Sequence, residues 1–263
     1  MKVLQFHRWD LEYGEAVTVQ RELAAKVQEG PPLEKVETVA AADVSGERQD
    51  EQIVAVVVVM RLGSGGGDTL FPLQGSSDVS AVSLEVLEVR HAVMPAPWPY
   101  VPGLLSFREA PVVLEAFRQV KTEPDVVICD GQGRAHPRRL GLASHVGLAL
   151  NVPTIGCAKS RLIGTVPHEP PRERGGEAPL MHHGERIGTV LRTRTGVEPV
   201  FVSVGHKIDL ASAVRWVLAT APKYRLPEPS RMAHRLVTQY KSRLASPSGG
   251  HSANADPGGA DAR

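Results

Sequence analysis

The stretch from Pro124 to Ser160, PDVVICDGQGRAHPRRLGLASHVGLALNVPTIGCAKS, constrains the fold of this chain more than any other. An apolar run, Val126 to Cys129, and a second strand, Pro153 to Cys157, flank a helical pattern from Pro137 to Leu150. Strands this short and this apolar are buried on both faces. Joined through a helix, they enter one sheet as parallel strands by a right-handed crossover. The first run stops on an acid, Asp130, and Gly131 and Gly133 follow at once. A carboxylate at the tip of a buried strand is costly to hold without a partner. Glycines beside it let another backbone or a ligand come close. The segment that dictates the fold therefore also marks a site.

The rest of the chain supplies the sheet's other members. Leu11 to Gln28 reads as a helix, ended by Gly30, Pro31 and Pro32. Val36 to Val44 is a first strand, ending in AADVSG. Ile53 to Met60, IVAVVVVM, is a buried second strand, and Ala81 to Val93 carries a third. Between them GSGGGD reads as a flexible hairpin tip or an insertion. Four prolines exclude regular structure from Met94 to Pro102, and Ser106 to Val120 is a helix with one apolar face. Arg186 to Arg192 and Val200 to Val204 are further strands. Asp209 caps a helix through Leu218, and Ser230 opens a last helix ending near Leu244. Ala245 to Arg263 is rich in Ser, Gly, Ala, Pro and Asp and reads as a disordered tail beyond a single domain of residues 1–244. Three sequential strands make an antiparallel meander, and the later helices add parallel strands, giving an α/β fold with helices on both faces of a mixed sheet. The order β-β-β-α-β-α-β resembles the ribonuclease H-like fold.

Composition excludes other classes. No apolar run approaches the roughly 20 residues that cross a bilayer, and MKVLQFHRWDLEYGE lacks a signal-peptide core. Cys129 and Cys157 lie inside apolar runs and read as buried reduced thiols rather than a disulfide or metal pair, which makes the cytoplasm the expected location. Net charge is +1, yet Arg134 to Arg174 holds seven Lys/Arg against two Glu. Such a stripe suits a polyanion or is a solvated surface.

Asp43, Glu109 and Asp130 fall on the first strand, the first helix after the meander, and the fourth strand. In ribonuclease H-like proteins acids on those elements converge on divalent metal. Three carboxylates are hard oxygen ligands suited to Mg²⁺ or Mn²⁺ rather than zinc. Singly, each has a plainer reading: Glu109 as a first-turn acid complementing a helix dipole, Asp43 as a turn residue before Ser45 and Gly46. Lys159, just past the fifth strand, could hold a phosphate or steady a water, or be a surface lysine. His136 could contact a phosphate or cap the following helix. His234 could join the metal shell, although nothing in the sequence brings it to Asp43. PYVPG, Pro99 to Gly103, is a proline-stiffened loop that presents Tyr100 and Val101 as a wedge for a base stack, or is an ordinary turn.

Together YVPGLLSFRE, PDVVICDGQGRAHPRRLGLASHVG, VPTIGCAKS, AADVSG, VSVGHKIDL and LPEPSRMAH closely resemble endonuclease V, from about Leu11 to Leu244. The resemblance implies a repair enzyme that recognises deoxyinosine in DNA and hydrolyses the second phosphodiester 3′ to the lesion, leaving 3′-hydroxyl and 5′-phosphate ends. It implies an acidic Mg²⁺ site, with Mn²⁺ as a substitute, at Asp43, Glu109 and Asp130, supported by Lys159 and His234. Pro99, Tyr100, Val101 and Pro102 would separate the strands. Gly103, Leu105, Gly131, His136, Gly141 and Leu162 would line the pocket for the flipped base. The chain departs from the family pattern at Cys129 and Cys157, where valine-like residues are usual, and at Val204, where proline is commoner. Inosine-containing RNA is an alternative substrate, and a lesion-binding protein that does not cleave is an alternative function.

Overall fold

The computed structural model describes residues 1–45, 52–63 and 83–245. The GSGGGD segment beyond Gly63 and the tail beyond Ala245 lie outside the described residues. Eight strands form one mixed sheet: β1 (Thr38–Ser45), β2 (Gln52–Gly63), β3 (Ser83–Pro95), β4 (Val126–Cys129), β5 (Thr154–Ala158), β6 (Glu177–His182), β7 (Glu185–Leu191) and β8 (Val200–His206). Their order across the sheet is β3-β2-β1-β4-β5-β8-β7-β6. The meander β1-β2-β3 is antiparallel, whereas β4 runs parallel to both β1 and β5. Beyond β5 the sheet continues antiparallel through β8, β7 and β6. This is the ribonuclease H-like arrangement that the order of elements led us to expect.

The continuous apolar character of β2 follows from cover on both faces. Val54, Val56, Val58 and Met60 enter one core with α4 (Leu210–Thr220) and α5 (Glu228–Ala245). Ile53, Ala55, Val57 and Val59 enter the other with α2 (Leu105–Arg118) and α3 (Leu142–Leu150). Residues i and i+2 of a strand share a face, so Asp43, in phase with Val39 and Ala41, points to the α5 side.

Three expectations need correction. The helix expected from Pro137 begins only at Leu142, because Arg139 takes a left-handed φ of 59° and Gly141 becomes the N-cap. Strand β6 was not anticipated. Pro179 sits inside it, which an edge strand tolerates, and β6 is the edge. β3 runs to Pro95, so the proline-rich loop starts later than Met94. Asp209 caps α4 as expected, its carboxylate accepting from the Ser212 amide at 3.3 Å. The last helix opens at Glu228, two residues before Ser230. Among the described residues no helix is long and apolar enough to cross a membrane, and both cysteines are free and buried, with burial pushing each thiol up to about 12.

Candidate active site

The parallel register brings three chain segments to one edge of the sheet. Ala42 of β1 pairs with Cys129 of β4, and Cys129 with Gly156 of β5. Asp43 and Asp130 are therefore level neighbours, and the Asp130 amide approaches the Ala42 carbonyl at 3.5 Å. Lys159, one residue past β5, donates from Nζ to Asp130 Oδ2 at 2.5 Å. Arg225, in the loop between α4 and α5, holds the Lys159 carbonyl at 2.6 Å and so fixes the lysine's backbone. From the α5 face His234 Nδ1 meets Asp43 Oδ2 at 2.7 Å, while Asp43 Oδ1 accepts from the Val44 amide at 3.0 Å. An ionised carboxylate only accepts, so in this pair Nδ1 is the donor and Nε2 points away from Asp43.

Glu109 comes from the opposite face. It lies in the second turn of α2, whose first turn contains no acid, so helix-dipole complementation is not its role. Burial and then the nearby Asp43 and Asp130 charges raise its carboxyl from 4.5 to about 8, against a smaller opposing pull from Arg108. Asp43 is also raised, by burial first and Asp130 second, with His234 and Lys159 pulling the other way. Burial opposes the charge on Lys159, but its pairing with Asp130 outweighs that and raises its pKa. Three carboxylates thus share a field that one lysine does not neutralise.

That surplus fits a hard dication. Among the described residues no three His, Cys, Asp or Glu side chains close around a single point. Magnesium needs no such cage, since it is commonly held by one or two carboxylates with waters and substrate phosphate completing its shell.

The loop before α2 is held at both ends. Trp98 is buried, donating from Nε1 to the Trp9 carbonyl at 3.0 Å and accepting at its own carbonyl from Arg108 at 2.5 Å. The Leu104 amide closes a turn onto the Val101 carbonyl at 2.9 Å. Between these anchors Pro99 and Pro102 are exposed and Tyr100 is 37% exposed, while Val101 leans on the cluster of Trp98 and Phe107.

Of the residues assigned to a base pocket, the structure joins several. His136 is buried, and Nε2 donates to the Gly103 carbonyl at 3.0 Å while Nδ1 accepts from the Arg138 amide at 3.2 Å. It caps no helix. Burial, reinforced by the Arg138 charge, takes its pKa down to about 4, so it is neutral. Gly103 has φ 78°, a left-handed conformation that suits glycine. Gly141 presses on the Gln132 and Gly133 carbonyls, leaving no room for a Cβ, and Gly131 lies over Leu142. Leu105 opens α2, and Leu162 stays exposed three residues past Lys159.

Much of the basic stripe is engaged within the protein. Arg134 and Arg139 share Glu185, and Arg174 donates to the Thr193, Leu218 and Ala221 carbonyls. Sequence reasoning passed over Arg108, Arg225 and Gln20. The third had a readable signal: a glutamine in phase with Ala16 and Leu23 on the apolar face of α1 (Tyr13–Ala24).

Fold and site edge together define a protein of the ribonuclease H-like class. The family model for Endonuclease V matches residues 76–235. Endonuclease V of Myxococcus xanthus is 49% identical over 232 residues, which cover 88% of this chain and 90% of that protein. The crystal structure of Endonuclease V from Streptomyces avermitilis superposes with a TM-score of 0.78 at 38% identity, covering 94% of this chain and all of the other. A crystal structure of Ciona intestinalis Endonuclease V, in complex with a 24mer DNA containing an inosine followed by a ribo-adenosine, matches with a TM-score of 0.70 at 26% identity over 88% of this chain and 98% of that one. The chain belongs to the endonuclease V family, and it is a nuclease.

Proposed function

We propose that this chain recognises deoxyinosine in DNA and hydrolyses the second phosphodiester on its 3′ side, leaving 3′-hydroxyl and 5′-phosphate ends. The observation that carries this reading is the convergence of Asp43, Glu109 and Asp130 on one sheet edge, each from a different element, beside Lys159 and His234. The inosine-containing DNA bound by the Ciona relative supports the choice of lesion. Asp43 and Asp130, with Glu109 behind them, are the residues that would hold Mg²⁺ or Mn²⁺. When bound, the ion polarises the scissile phosphate and stabilises the leaving oxygen.

The chain's own groups do the rest. Lys159 offers a cation to the phosphate as it engages the edge. His234, held by Asp43, presents Nε2 of the neutral ring as an acceptor that orients a water and takes its proton. Tyr100, between Pro99, Val101 and Pro102, enters the stack vacated by the flipped base, and Gly103, Leu105, Gly131, His136, Gly141 and Leu162 line the pocket that receives it. Residues 1–244 form the cleaving unit, and the buried free thiols are consistent with action in the cytoplasm.

RNA is kept as a second reading because the Ciona complex carries a ribo-adenosine after the inosine. The test is a sequencing gel of duplexes labelled on either strand, with one deoxyinosine, with adenine in its place, and with inosine in RNA. A nick one nucleotide beyond the deoxyinosine, on its own strand, is expected. Cutting of the RNA alone would move the substrate class, and binding without any cut would leave a non-cleaving lesion reader.

A further inference from the structure

The side chain of Gln20 is fully buried on α1. It sits between two apolar patches that the same helix touches. Ala16 packs with Trp98, Leu104 and Phe107, at the root of the Tyr100 loop. Leu23 packs with Leu140, just before α3, and with Leu148 inside that helix. A leucine between them would suit packing alone, and a buried amide is costly unless every donor and acceptor is used. Here all three are used. Nε2 donates to the Gly103 carbonyl at 3.1 Å and to the Leu140 carbonyl at 2.8 Å. Oε1 accepts from Arg138 Nε.

The two carbonyls belong to different walls. Gly103 ends the Tyr100 loop, and Leu140 precedes Gly141 at the foot of the glycine-rich segment. The Gly103 carbonyl also accepts from His136 Nε2 and, at 2.7 Å, from Arg138 Nη2. His136 and Arg138 thus reach across from the glycine-rich wall directly, and Gln20, standing on α1 outside both walls, bonds to a carbonyl of each. The contacts carry no charge on Gln20 and touch no reacting atom.

We propose that Gln20 is a positioning residue that sets the separation of the two walls of the base pocket, and with it the selectivity for the flipped base. The inference rests on the deoxyinosine reading above. Walls left free to part would admit the lesion less tightly and tolerate other bases better, without disturbing the acids at the sheet edge.

The experiment is single-turnover cleavage by the full chain of a duplex bearing one deoxyinosine, and of the same duplex with deoxyuridine there, across a range of protein concentrations. Gln20→Leu removes the clamp. Gln20→Glu keeps an acceptor for Arg138 but loses both donations to the walls, and it carries the test if Gln20→Leu does not fold. Arg138→Met acts from the partly exposed side and should shift the result in the same direction. A rise of roughly tenfold in half-saturating protein concentration is expected, about the size of a lost buried hydrogen bond. The saturating rate should stay within about twofold, and the preference for deoxyinosine over deoxyuridine should fall. A general loss of stability would instead lower active fraction and leave the base preference alone, and that outcome overturns the proposal. So do folded variants with unchanged half-saturation and preference. A wild type that fails to nick deoxyinosine overturns the underlying reading, whereas a wild type that nicks it and variants that match it overturn the clamp only.

Discussion

Replacing Glu109 by glutamine should make the metal-free protein more stable, and more so at higher pH. Glu109 is held neutral by burial and by the Asp43 and Asp130 charges, which lift its carboxyl from 4.5 to about 8. In the unfolded chain it ionises near 4.5. Between those two pH values the folded state binds more protons than the unfolded one, so stability falls as pH rises. At 1.36 kcal/mol per pH unit the full displacement costs at most about 5 kcal/mol at pH 8, and relaxation in a partly open site brings this to about 2–3 kcal/mol. Asp43, displaced the same way, keeps part of the slope in the variant. The assay is urea unfolding, followed by the fluorescence of Trp9, Trp98 and Trp216, from pH 5 to 8.5 with EDTA. Glu109→Gln and wild type should coincide near pH 5 and separate in the variant's favour by pH 8. Adding Mg²⁺ should stabilise wild type and narrow the gap. A difference that stays flat with pH, or a variant weaker at pH 8, would refute the shared-field account of the site.

Three further outcomes are expected. Tyr100→Ala should weaken discrimination between deoxyinosine and adenine duplexes while leaving unfolding within about 0.5 kcal/mol of wild type, because the side chain is exposed; equal discrimination would make the loop a mere turn. Gly133→Ala should destabilise by about 2–3 kcal/mol, since its Cβ would strike the Val204 carbonyl, and an unchanged urea midpoint would contradict that packing. Ending the chain after Leu244 should leave cleavage of the deoxyinosine duplex intact, and lost activity in the gel assay would assign residues 245–263 a role.

The parallel core of the sheet was legible because its physics is local. Val126–Cys129 and Thr154–Ala158 are short, apolar and covered on both faces, and the acid at the end of the first could only stand at an edge. Strand β6 escaped because Pro179 erases the usual strand signature, a loss that only an edge strand survives. The start of α3 escaped because the left-handed turn at Arg139 is imposed by tertiary contacts, its guanidinium reaching Glu185 of β7. The three acids could be matched to elements, but the pairing of His234 with Asp43 spans 191 residues of sequence and exists only once α5 lies on β1. Gln20 shows the reverse: its phase with Ala16 and Leu23 was visible, and what it holds was not.

The central claim is that the edge formed by Asp43, Glu109 and Asp130 carries out metal-assisted hydrolysis. The most direct measurement is the saturating single-turnover rate on the deoxyinosine duplex as Mg²⁺ is titrated from an EDTA blank, for wild type, Asp43→Asn and Asp130→Asn, with binding to the same duplex followed by fluorescence anisotropy. Wild-type cleavage that appears only with Mg²⁺, and variants that bind the duplex yet cut at least about a hundredfold more slowly at every Mg²⁺ concentration, are the expected result. Cleavage that persists in EDTA, or either variant cutting at the wild-type rate, would contradict it.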